Sequence, residues 1–84
     1  MSNEYPTETR LYYGIQYWVS VEQGTSRFTV ILGQGENKIE EVVDCNDVSP
    51  DDQQELFRRA HEHAHKIIAH EGSDQLAKRF GLSE

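Results

Sequence analysis

Residues 49–72 read SPDDQQELFRRAHEHAHKIIAHEG, and the faces of this stretch decide the fold. Ser49 is a good N-cap, because its hydroxyl can accept from the free N–H groups of a first helical turn. Pro50 loses nothing at a first helical position, and Asp51 and Asp52 set negative charge against the positive end of the helix dipole. Gly72 supplies the left-handed residue that closes a helix. These signals predict a helix over residues 50–71. At about 100° per residue, Leu56, Phe57, Ala60, Ala64, Ile67 and Ile68 share one face. Arg58, Arg59, Glu62, Lys66 and His65 are expected to look outward. His61 is expected on the border beside Phe57 and Ile68, with His63 and His70 on the opposite edge.

A helix with one apolar face needs an apolar layer to cover, and the chain before it supplies one. Residues 10–22, RLYYGIQYWVSVE, alternate apolar and polar, which predicts one long strand. Leu11, Tyr13, Ile15, Tyr17, Val19 and Val21 are expected on the core side, with Tyr12, Gln16 and Trp18 on the other. Gln23-Gly24-Thr25 reads as a turn. Residues 26–33 predict a second strand, with Phe28, Val30 and Leu32 inward and Ile31 outward. Residues 38–45 predict a third, offering Ile39, Val43 and Cys45 to the core. Short connections imply an antiparallel meander. After Gly72, Leu76, Ala77 and Phe80 give residues 74–80 the apolar edge of a short helix, with Leu82 beyond. The expected fold is therefore α+β: a three-stranded antiparallel meander, a long helix on one face and a short C-terminal helix. Residues 1–9 are polar and without period, and are expected to form a mobile arm before a single domain over residues 10–84.

Eighty-four residues carry a formal net charge of −7, divided as 3 basic and 8 acidic groups in residues 1–48 and 5 and 7 in residues 49–84. Neither half is a basic patch, which disfavours direct nucleic-acid binding through phosphate neutralisation. The single cysteine, Cys45, cannot form an internal disulfide, and no apolar run approaches the roughly 20 residues of a membrane span. A cytoplasmic protein with no membrane contact is the expectation. Asp44 and Asp47 flank Cys45 and should raise its pKa rather than activate the thiol.

His61-Glu62-His63-Ala64-His65 matches H-E-x-x-H, the spacing at which zinc peptidases place two imidazoles on one helical face beside a glutamate. A catalytic centre also needs a third ligand and a cleft, and neither is evident. The sequence therefore predicts no enzyme, no catalytic residues and no cofactor, and His61 and His65 stand only as candidate metal ligands. The stronger functional signal is the second sheet face, for which the chain holds no further covering element. Tyr12, Gln16, Trp18 and Ile31 are expected there, with Glu22, Glu40 and Asp44 at an acidic rim. Aromatic side chains supply contact area with few rotors to freeze, so such a face suits a protein partner. The expected function is a small acidic protein-binding module of inhibitor or adaptor type, whose partner is basic or a second copy. The alternatives are a metal-binding protein built on His61 and His65, and a nucleic-acid mimic built on the carboxylates of residues 36–52.

Overall fold

A computed structural model describes residues 7–33 and 35–81; residues 1–6 of the expected arm, and Leu82, lie outside the described residues. The sheet has four strands rather than three: β1 (Thr7–Tyr12), β2 (Ile15–Val21), β3 (Arg27–Leu32) and β4 (Ile39–Asp44), antiparallel in sequence order. The long strand expected over residues 10–22 folds back on itself at Tyr13-Gly14. Both residues have positive φ, 52° and 79°, as a two-residue hairpin turn of the primed kind requires. Thr7, Glu8 and Thr9 belong to β1.

The hairpin inverts the expected facing of residues 11–13. Residues opposite one another across an antiparallel pair share a face, and Tyr12 lies opposite Ile15. Tyr12 therefore joins the helix side. Leu11, opposite Gln16, joins the open side and is 69% exposed, while Tyr13 at the turn tip is 75% exposed. From β2 onward the expected alternation holds. Ile15, Tyr17, Val19, Val21, Phe28, Val30 and Leu32 are buried, with Cys45 buried just past β4 and Ile39 and Val43 packed at the margin.

Two helices cover this face, α1 (Gln53–Glu71) and α2 (Ser73–Arg79). Helix α1 begins later than expected. Asp52 is its N-cap, accepting from the Glu55 N–H at 3.3 Å, because Ser49 and Pro50 are spent on a preceding turn in which the Asp52 N–H donates to the Ser49 carbonyl. Arg59 fastens this entry by donating to Asp47 at 2.8 Å and to Glu55 at 2.9 Å. Gly72, at φ 90°, closes α1 and opens α2. The buried stripe of α1 is Leu56, Ala60, Ala64 and Ile68, each four residues from the next. Leu76 of α2 completes the core, and Phe80 packs over Gly33 at the end of β3. No helix among the described residues is long and apolar enough to cross a membrane.

Candidate functional site

Two places in this fold concentrate chemistry: the helix face at His61 and His65, and the open face of the sheet. On the first, Tyr17 sits at the centre of β2 with no exposed surface. A buried hydroxyl must find partners, and this one has two. It lies 2.8 Å from Nδ1 of His61 and 3.0 Å from Nε2 of His65, one helical turn further on. His61 Nε2 is in turn 2.6 Å from Oε1 of Glu8 on β1.

The carboxylate fixes the direction of the whole chain. It can only accept, so His61 donates through Nε2, and in its neutral form Nδ1 is left as an acceptor. Tyr17 then donates to His61 and accepts from the Nε2–H of His65. Among the described residues no buried side-chain nitrogen or oxygen lacks a partner, and β1, β2 and α1 are joined through Glu8, Tyr17 and His61. The Tyr12 ring stacks flat on His65, with ring centroids 3.8 Å apart and planes 7° from parallel. Burial, then the neighbouring His61 and Arg10, hold the His65 pKa below its ordinary value, which favours the neutral ring. Burial likewise pushes the Tyr17 phenol up. Contrary to expectation, His65 turns inward. His61 and His63 lie at borders as expected, His63 meeting Glu41 at 2.8 Å with its ring edge-on to Phe28, and His70 is exposed.

Tyr17, His61 and Glu8 have the connectivity of a nucleophile, a base and an orienting carboxylate. The hydroxyl is sealed beneath the helix, however, where no substrate atom can approach it. The H-E-x-x-H pattern acquires a different meaning. Its two outer histidines face the same hydroxyl, while Glu62 points away from the sheet with its carboxylate 4.0 Å from Arg58. Among the described residues, no three His, Cys, Asp or Glu side chains form a group able to hold a metal ion. The chain of hydrogen bonds docks the helix on the sheet. Cys45 is buried, and its pKa is raised first by that burial and only secondarily by Asp47 and Asp44.

The second place is the open face. Register sorts its side chains into rows. The central row runs Thr9, Trp18, Ile31, Glu40. On one side of it lie Ser20, Thr29 and Val42, and on the other Leu11 and Gln16. Trp18 and Ile31 are half-buried among these neighbours, and Val42 is 57% exposed. Of the side chains expected here, Gln16, Trp18, Ile31, Glu40 and Asp44 are found together, with Glu22 beside Arg27 at the corner. Tyr12 is not, and Leu11 takes the place assigned to it. The signal for that exchange was Gly14 alone, since a glycine inside an alternating run marks a break in the strand.

The rim is less acidic than composition suggests. Arg27 donates to Asp44 at 2.9 Å and lies 3.9 Å from Glu22, and Lys38 lies 3.7 Å from Glu40. All three expected acidic residues are thus locally compensated. The centre is neutral, apolar and lined by threonines, with a single large side chain standing in it. Comparison with protein-family models, with curated proteins and with solved structures found no match, and the functional reading rests on this geometry.

Proposed function

We propose that the protein is a binding module that engages a basic protein partner through its open sheet face, with Trp18 as the anchor. The observation that supports this is the layering: both helices cover one face, and the other carries Trp18, Ile31, Leu11 and Val42 with no described element over them. A Trp ringed by smaller side chains has the arrangement of an interface hot spot, in which the ring excludes water from a central anchor. Four strands about 4.8 Å apart and six residues long make a face of roughly 20 by 20 Å, which is about half of what each partner gives to a standard interface. The partner therefore grips more than the sheet, or binds transiently. The net charge of −7 favours a basic partner at long range and raises its rate of encounter at low salt.

The test uses Trp18→Ala in affinity capture with quantitative mass spectrometry, followed by titration of the recovered partner. Binding should weaken by about 2 kcal/mol, or roughly thirtyfold, with an unchanged far-UV spectrum. A partner captured equally by wild type and Trp18→Ala would refute the assignment to this face, as would a Trp18→Ala chain that fails to fold.

A further inference from the structure

The outer edge of β1 has the properties of a self-pairing seam. The N–H of Gly33 donates to the carbonyl of Gln16 at 3.3 Å, so the backbone of Gln16 faces β3. Gln16 and its partner Leu11 are then a non-hydrogen-bonded pair, and the N–H and C=O of Leu11 face away from β2. By alternation those of Thr9 do the same. Among the described residues no strand pairs with that edge, and α1 leaves it clear. An open groove of about 410 Å³ lies between the strand and the helix, lined by Glu8, Arg10, Gln53, Phe57, Arg58 and His61. An unpaired edge is a template for another strand unless charge or cover blunts it. The opposite edge offers no such complementarity within its strand: β4 carries Glu40, Glu41 and Asp44 and no cation, and the cations beside it, Lys38 and Arg27, are already paired with Glu40 and Asp44.

We propose that a second copy of this chain occupies the β1 edge, the two β1 strands running antiparallel about a two-fold axis at Thr9. In that register Thr9 faces Thr9 of the second copy and the two exchange both backbone hydrogen bonds. Glu8 then lies directly opposite Arg10 of the other copy, and Arg10 opposite Glu8, on the helix side of the sheet. Charge selects this register over its neighbours. An axis at residue 8 would oppose Glu8 with Glu8, and an axis at residue 10 would oppose Arg10 with Arg10; directly opposed like charges destabilise. Two chains of charge −7 repel at long range, but salt screens that over about 8 Å at physiological strength, leaving the complementary seam to act. The result is an eight-stranded sheet with both helix layers on one side and both open faces on the other. The pairing is thus independent of what binds at Trp18. The two backbone bonds at Thr9 and the two exposed ion pairs make a weak interface.

The test is sedimentation of the full chain from about 1 μM to about 1 mM, the range in which weak dimers form. Wild type should pass from monomer to dimer. Thr9→Pro removes an N–H that faces the seam and none that binds β2, and should weaken the dimer at least tenfold while keeping the far-UV spectrum. Arg10→Glu, which leaves the Glu8–His61 bond in place, opposes carboxylates across the seam and should also be monomeric while keeping the far-UV spectrum. That variant keeps the test decisive should Thr9→Pro fail to fold. A wild type that stays monomeric at 1 mM would overturn the proposal. So would a dimer abolished by Trp18→Ala but not by Thr9→Pro, or an Arg10→Glu chain that dimerises as wild type does.

Discussion

Replacing Tyr17 by Phe removes one oxygen atom from the centre of the protein and leaves the ring in place. The oxygen donates to His61 and accepts from His65, at 2.8 and 3.0 Å. Each bond contributes about 1 kcal/mol net, and each leaves an imidazole nitrogen short of a partner when it is lost. The His61 side chain is only 12% exposed, so water cannot fully replace the missing hydroxyl. The ring contacts with both imidazoles survive the change, which argues against a larger loss. The expected cost is about 2 kcal/mol, a large share of the roughly 5 kcal/mol expected for a chain of this size. For a domain of 60–100 residues that corresponds to a fall in Tm of roughly 8–16 °C. Thermal and urea denaturation followed by circular dichroism would measure it. Tyr17→Phe melting within about 2 °C of wild type, or above it, would mean that the hydroxyl is not the hub described here.

Two further perturbations probe neighbouring features. His65 is held below its ordinary pKa of 6.5, so the unfolded chain binds that proton more readily and stability should fall as pH drops below about 6.5. Urea titrations should show His65→Asn, though less stable at neutral pH, losing less over that window than wild type; an equal loss would put the pH dependence elsewhere. Gly33 has φ +77°, and a Cβ there would stand 2.6 Å from the Phe80 ring, so Gly33→Ala should cost about 2–4 kcal/mol. Gly24→Ala, at φ +80° with open space around it, isolates the backbone part, and equal melting temperatures for the two variants would show that Phe80 does not rest on Gly33.

The core and the helices were legible because periodicity reports them directly: β2 and β3 alternate strictly, and α1 repeats its apolar residues every three or four positions. The β1–β2 hairpin was hidden by parity. A turn of two residues leaves period-two alternation looking unbroken, and Leu11 and Tyr13 happen to continue the pattern of Ile15, Tyr17 and Val19. The sides nonetheless exchange, because the residues flanking the turn lie opposite each other. A tyrosine at the first turn position gave no warning, since Asn or Asp is the usual sign of a left-handed residue there. The open face was largely readable, with Trp18 and Ile31 placed correctly and Tyr12 not. The hydrogen-bonded chain was not readable at all. His61 lies 44 positions from Tyr17 and 53 from Glu8 along the sequence, and only the packing of helix on sheet brings them together.

The stripe by which α1 lies on the sheet is narrow and nearly featureless at its middle, where Ala60 and Ala64 let the helix sit close but offer little shape to grip. Apolar contact of that kind barely distinguishes one axial setting of the helix from another displaced by a turn, about 5.4 Å along its axis. The imidazoles do distinguish them. A helix shifted by one turn would carry one of His61 and His65 away from Tyr17, and a shift that brought His61 to the place of His65 would also leave Glu8 without its donor, stranding polar groups at a buried seam. Division of labour follows: the alanines set how near the two layers come, and the histidines set where along the sheet the helix stops. A chain with His61 and His65 replaced by leucines would gain apolar contact and keep its layers, yet surrender the buried hydrogen bonds that favour a single alignment between them.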